Sequence, residues 1–266
     1  MNADELKKLT TSALDQLRAA LDEGHSERLT ELLKTMGRFH RYSVNNICLI
    51  MSQRPTATRV AGFHTWRTMG RFVRKGEKGI AILAPIVGRK RDDTCEESRT
   101  VVGFRTAYVF DVGQTDGAPL PEASQATGDP GANTDRLLGA IASSGIAVEH
   151  ADDLDGALGL SRGGRIQILK GLDRAAEFSV LVHEYAHELL HRSADRPASR
   201  DTRELEAEAV AFVVSTAIGL EVTDAARDYI HLYQGDGEAL SQSLDRIQHT
   251  ASAILAAIGS ELRLAA

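Results

Sequence analysis

The stretch that most constrains how this chain can fold is His183-Glu184-Tyr185-Ala186-His187, a His-Glu-x-x-His run inside an apolar segment of helical length. On an α-helix, positions i and i+4 share a face, so His183 and His187 can point side by side at one metal ion. Glu184 lies about 100° round the helix from His183, within reach of a water held by that ion. Zinc peptidases need three protein ligands and one open coordination position. The run therefore requires a second element, packed against its helix, that supplies the third ligand.

The best source is Arg203-Glu204-Leu205-Glu206-Ala207-Glu208, which follows one loop later and reads as helical. Glu204 and Glu208 share a face at i and i+4, whereas Glu206 points elsewhere. We assign Glu204 as the third ligand and Glu208 as the acid that holds a histidine nitrogen from behind. The reverse assignment stays open, with Glu206 as third choice. His191 extends the 183/187 stripe but lies about 12 Å along the helix axis from His183, so one ion cannot take both. It reads as a neighbour of the site. Tyr229, His231 and Tyr233 are candidate oxyanion donors, with ordinary packing as the competing expectation. The implied chemistry is Zn²⁺-assisted amide hydrolysis with Glu184 as the general base.

The charge is unevenly spread. Residues 1–118 carry 19 Lys and Arg against 14 Asp and Glu, while the remainder carries 12 against 23. Between residues 38 and 78 nine basic residues face one acid, Glu77. A localised basic surface of this kind meets a polyanion. Phe39, His40, Tyr42, Phe63, Trp66 and Phe72 are interleaved with it, and single-strand binders combine a cationic groove with aromatic faces for the bases. The candidate DNA contacts are Arg41, Tyr42, Arg59, Trp66, Arg71, Arg74, Lys75 and Lys78. Against this, a domain of this size needs most of its Phe, and the chain's only Trp, for a core.

Along the chain, leucines at helical spacing predict two helices within residues 3–35, broken at Gly24. An apolar segment over 47–51 ends at Arg54-Pro55. Short strands follow, with a helical turn near 65–69, a charged turn over 75–79, and a strand from Ile80 that Pro85 stops. A solvated loop is expected over 89–99 before a second long strand over 101–111. Residues 113–134 are rich in Gly, Pro, Ser, Ala and Thr, which marks a boundary. The organisation is a domain over 1–116, a linker over 117–134 and a second domain over 135–266. The second domain reads as a short helix, strands over 146–150 and 165–169, a helix over 174–192 capped by Asp173, a helix over 202–218, and helices near 224–233 and 238–258. The strand over 165–169 is a candidate partner for an extended peptide. The fold class is α+β, with helices on a small antiparallel sheet in the N-terminal domain. Two cysteines, Cys48 and Cys95, suggest no disulfide framework. No signal peptide or membrane span is expected, so the chain reads as cytoplasmic with no membrane partner.

Several of these segments resemble a known family. Phe39-x-x-Tyr42-Ser43-x-x-Asn46 and Gln53-x-Pro55-x-Ala57-Thr58-x-Val60-Ala61-Gly62-Phe63-x-x-Trp66 resemble the N-terminal domain of ArdC-type antirestriction proteins. So do Gly70-Arg71-x-Val73-x-Lys75-Gly76-Glu77-Lys78-Gly79-Ile80 and Tyr108-Val109-Phe110-Asp111-x-x-Gln114-Thr115. The resemblance covers about residues 10–120 and implies a single-stranded-DNA-binding domain of plasmid, phage or related mobile-element origin. The second half is similar to the ImmA/IrrE type of zincin, a gluzincin-like metallopeptidase, matched at His183, Glu184, His187 and the Glu204–Glu208 segment. Together they imply a single-stranded-DNA-binding zinc metallopeptidase that acts on a protein partner. The alternative is a non-proteolytic DNA-binding antirestriction factor whose metal site is structural or vestigial.

Overall fold

A computed structural model describes residues 2–23, 26–91, 97–117, 128–192, 197, 199–221 and 237–259. The backbone groups into two units, one from Met1–Gln16 and Asn45–Leu120, the other from Leu17–Val44 and Pro121–Arg263. The result is a mixed α+β architecture with small sheets.

In the first unit, helices α1 (Ala3–Asp22, shared with the second unit) and α3 (Val44–Gln53) accompany strands β1 (Val60–Gly62), β3 (Ile80–Arg91) and β4 (Glu97–Asp111). These strands form one antiparallel sheet in the order β1-β4-β3. Helix α4 (Phe63–Thr68) leads to a separate two-stranded ribbon of β2 (Arg71–Val73) and β5 (Thr115–Gly117). Leu6 of α1, Leu49 of α3 and Ala81 of β3 form a buried apolar cluster.

The outer edge of β3 is covered by side chains. Asn46 pairs both its amide groups with the backbone N–H and C=O of Leu83, each at 2.9 Å. Gln53 does the same at Ala81, at 2.8 and 2.9 Å. Two amides on α3 thus imitate a neighbouring strand and close an edge that would otherwise expose unpaired backbone. Two expectations fail here. Pro85 does not end the strand but sits within it, opposite Phe104, because an edge strand tolerates a residue with no N–H. The pairing also continues into the expected loop, with Arg89 opposite Arg99 and Arg91 opposite Glu97.

The second unit holds α2 (Ser26–Arg38), α5 (Asn133–Ser143), α6 (Arg174–Leu190), α7 (Arg200–Ala217) and α8 (Gly237–Ala257). Its sheet has the order β6-β8-β7, from β6 (Ala147–Ala151), β7 (Gly159–Ser161) and β8 (Arg165–Leu169). β8 runs parallel to β6 and antiparallel to β7. Asp173 caps α6 through the Ala176 N–H at 2.8 Å, and Ser199 caps α7. From Leu205 to Val214 only Glu208 of α7 is not buried, so this helix is the centre of the unit. The expected boundaries placed residues 17–44 with the N-terminal domain. They group with the C-terminal unit because α2 packs on α7: a Cβ added at Gly37 would lie 2.8 Å from the Val213 carbonyl oxygen. The helix expected near 224–233, with Tyr229, His231 and Tyr233, lies outside the described residues.

This packing sets a stability contrast. Gly37→Ala should force α2 from α7 and cost about 1–3 kcal/mol. Gly139→Ala, in α5 with open space around the new carbon, should stabilise by about 0.5–1 kcal/mol through the unfolded chain. Thermal unfolding of the two variants against the parent checks both signs.

Candidate metal centre

Helix α6 presents His183 and His187 to α7, which presents Glu204. The three donor atoms converge: His183 Nε2 lies 3.1 Å from His187 Nε2, and Glu204 Oε2 lies 3.6 and 3.3 Å from them. A tetrahedral zinc with bonds of about 2.0–2.1 Å holds its ligand atoms about 3.3 Å apart, so this donor set fits the ion. These residues form the one His/Cys/Asp/Glu group among the described residues with metal-binding geometry. Glu208 stands behind them, with Oε2 3.2 Å from His183 Nδ1. Glu206 is not at this position; it is buried and faces His191 and Arg246.

The electrostatics follow from carboxylates crowding two imidazoles. Burial pulls the His183 pKa down, but its bonds to Glu204 and Glu208 outweigh this and push it up to about 9. His187 falls to about 4 through burial and the neighbouring His183 charge. Glu204 is held at about 2, chiefly by its bond to His183. Glu184 is buried and pushed up to about 7, first by desolvation, and its other neighbours act in both directions.

Strand β7 fixes the position of Glu184. A Cβ added at Gly159 would fall 2.6 Å from Val180 Cγ1 and 2.8 Å from Glu184 Cγ, so only glycine allows the strand this close to α6. Glu188, one turn on, secures the same strand from its end. It accepts from Ser161 Oγ at 2.6 Å and from the Gly163 and Gly164 N–H groups at 2.8 and 2.7 Å. Sequence reasoning missed Gly159 and Ser161, because a three-residue strand carries no periodic signal, and gave Glu188 no role, because its partners lie on that strand and the turn after it. It also chose the wrong strand for a peptide. β8 is the middle strand with both edges used, whereas β7 is an edge and lines the cleft. That cleft has a volume of about 880 Å³ and includes Ala157, Leu158, Leu160 and Val180 with His183, Glu184, His187 and Glu204.

The candidate DNA contacts divide into groups. Trp66 is 0% exposed, and its indole N–H donates to the Phe110 carbonyl at 2.8 Å, so it belongs to the core and presents no face to a base. Arg71 spends its guanidinium on Thr115 Oγ1 and the Thr115 carbonyl, at 2.8 and 2.9 Å, tying β2 to β5. Arg74 is bound to Glu77 at 2.8 Å and to Asp116 at 3.5 Å. Tyr42 is half-buried with its ring edge-on to Phe39, Arg59 is half-buried, and Arg41 is exposed. Lys75 and Lys78 are exposed on a turn held by Gln114, which donates to Glu77 at 3.0 Å and to the Lys78 carbonyl at 2.9 Å. Asp111 anchors that motif, accepting from the N–H groups of Thr58, Arg59 and Gly113. Exposed rings do exist, at Phe63, Phe72, Phe104 and Tyr108. Of these, Phe104 and Tyr108 share one face of β4. Only Phe63 and Phe72 stood out in the sequence.

Comparison with known proteins places this architecture. Residues 3–110 match the family model for the N-terminal domain of anti-restriction factor ArdC. The uncharacterised protein pXO2-81 of Bacillus anthracis is 25% identical, over 97% of this chain and 53% of that protein. The chain thus spans about half the length of the curated relative it matches. The metal-free crystal structure of antirestriction protein ArdC from plasmid R388 has a TM-score of 0.55 and 17% identity, covering 94% of this chain and 96% of that one. The Mn(II)-bound crystal structure of the same protein has a TM-score of 0.46 and 17% identity, covering 81% and 88%. Residues 3–110 thus belong to the ArdC N-terminal domain family.

Proposed function

We propose that the protein is an antirestriction factor that binds single-stranded DNA through its N-terminal domain and hydrolyses a protein partner at a zinc centre. Membership of residues 3–110 in the ArdC family supports the antirestriction part. The observation that carries the enzymatic part is the convergence of His183, His187 and Glu204 within 3.1–3.6 Å beside the buried carboxyl of Glu184. On this reading the DNA-binding domain lies within residues 1–116, less the 17–44 segment that packs with the C-terminal unit, the metallopeptidase domain spans 135–266, and the protein acts in the cytoplasm. Among the described residues, no helix is long and apolar enough to cross a membrane.

Bound zinc would lower the pKa of water and polarise a scissile carbonyl. This chain's own residues do the rest. Glu184, held near neutrality by burial, accepts the proton of the attacking water and returns it to the leaving amine. Edge strand β7 hydrogen-bonds an extended peptide in the cleft, and Leu158, Leu160 and Val180 offer apolar contacts to its side chains. In the other domain, Lys75 and Lys78 contact phosphates while Phe63, Phe72, Phe104 and Tyr108 offer faces for bases, each stack contributing about 1–3 kcal/mol.

The decisive experiment compares the parent with Glu184→Gln after metal removal and reloading. Both should take up about one zinc per chain, and the variant should lose about 10²–10⁴-fold in peptide hydrolysis. Zinc uptake with antirestriction activity unchanged in Glu184→Gln would instead favour a structural metal. No uptake by the parent would refute the centre.

Titration provides a second check. Because His183 must give up a proton bound with a pKa of about 9, apparent zinc affinity should rise about tenfold per pH unit from pH 7 towards 9, read by chelator competition. In the metal-free protein, the raised pKa of Glu184 stabilises the fold below pH 4.5 and loses this effect as pH passes 7. Glu184→Gln should therefore raise Tm at pH 8 and leave it unchanged at pH 4.

For DNA, the double variant Lys75→Glu/Lys78→Glu should weaken single-strand binding and flatten its salt dependence by about 0.7 in log–log slope per lost phosphate contact. Tyr108→Ala should weaken binding without lowering Tm, whereas Trp66→Phe should lower Tm by removing a buried hydrogen bond.

A further inference from the structure

We propose that His191, Glu206 and Arg246 form a hydrogen-bond relay, buried at His191 and Glu206, that fixes the tautomer of His187 and turns its Nε2 to the metal position, making α8 a positioning element of the site. The inference rests on the metal centre proposed above but concerns residues that touch neither metal nor substrate.

The relay is continuous across three helices. His191, one turn beyond His187 at the end of α6, is buried, with its Nδ1 2.9 Å from His187 Nδ1. Its Nε2 lies 3.1 Å from Oε2 of Glu206 on α7. Glu206 is 0% exposed, and its Oε1 accepts from Arg246 on α8 through Nε at 3.0 Å and through Nη2. A carboxylate this buried is retained only where its ion pairs and hydrogen bonds repay desolvation.

The proton positions follow from donor and acceptor chemistry. A carboxylate only accepts, so His191 Nε2 carries the hydrogen that points at Glu206. A His187 that turns Nε2 to a metal carries its hydrogen on Nδ1, and His191 Nδ1, 2.9 Å away, stands where it can accept that hydrogen. That leaves the lone pair of His187 on Nε2, the atom 3.1 Å from His183 Nε2 and 3.3 Å from Glu204 Oε2. Each link removes one alternative tautomer. His183 is held differently, by Glu208, whose side chain is 47% exposed, so water can replace that support. The two histidines at i and i+4 thus have unequal backing, buried behind His187 and exposed behind His183.

The test uses ¹⁵N-histidine-labelled full-length protein and zinc dissociation constants from chelator competition. In metal-free parent, long-range ¹H–¹⁵N spectra should show His187 protonated at Nδ1. His191→Phe and Glu206→Gln should mix or invert this tautomer and weaken zinc binding about 10–100-fold. Glu208→Gln should weaken it less, and His191→Asn, which restores an acceptor near the Nδ1 position, should recover part of the loss. Gly37→Ala, destabilised away from the site, should keep the parent zinc affinity. Arg246→Lys, which keeps the charge and loses the two-pronged contact, gives an intermediate variant should Glu206→Gln fail to fold. Folded relay variants with an unchanged His187 tautomer and zinc affinity within about twofold of the parent would overturn the relay. A parent that takes up no zinc would defeat the metal centre instead, while the metal-free spectra still decide the relay.

Discussion

The burial of helix α7 is the constraint on which the rest of the C-terminal unit depends. Most of its residues from Leu205 to Val214 are out of water, so a carboxylate on it has two options. It can sit on the strip that faces the cleft, as Glu204 and Glu208 do, or it can be buried with partners of its own. Glu206 takes the second course. An unpaired buried charge would cost about 3–5 kcal/mol, so His191 of α6 and Arg246 of α8 have to meet it. Three acids at alternating positions of one helix thereby dictate how three helices stand against one another. The convergence of His183, His187 and Glu204 goes with that arrangement.

The same economy governs the face of α6 turned to the sheet. Glu184 and Glu188 are both buried, yet their surroundings differ in kind. Glu188 receives a hydroxyl and two backbone N–H groups, which make it an anchor for the β7–β8 turn. Glu184 is pressed against Gly159, and desolvation raises its pKa towards neutrality. One carboxyl group is immobilised by three hydrogen bonds, and its neighbour one turn away is left able to exchange a proton. Differences of this kind separate a group that holds structure from one suited to acid–base chemistry.

In the N-terminal unit, polar side chains do much of the architecture that backbone usually does. Asn46 and Gln53 stand in for a strand, and Asp111 and Gln114 organise the turn that carries Lys75 and Lys78. This accounts for several residues of the family motifs. It also changes how the basic cluster reads. Arg71 and Arg74 are counted in the net charge of the segment, but their guanidinium groups are committed to Thr115, Glu77 and Asp116. A charge count measures the field that draws in a polyanion; it says nothing of which cations are placed to touch it.

Local pattern sufficed for elements whose cause is local. The helix of His183 and His187, its Asp173 cap and the helix bearing Glu204–Glu208 were legible because helical periodicity and capping act over a few residues. The pairing of a His-Glu-x-x-His run with a following acidic helix was legible for the same reason. Contacts between segments far apart in the chain were not. The outward position of β3, which lets Pro85 stay in a strand, follows from strand order. The removal of residues 17–44 from the N-terminal unit follows from Gly37 meeting Val213, and the burial of Trp66 from a carbonyl 44 residues away. Which of three nearby acids faces the histidines was open in sequence, because Glu204, Glu206 and Glu208 differ only in helical phase. The sequence alone determined that two histidines and a carboxyl would share a helix. Only the packing of α6, α7 and α8 decided which acid stands beside the histidines, because that choice depends on which face of α7 is denied to water.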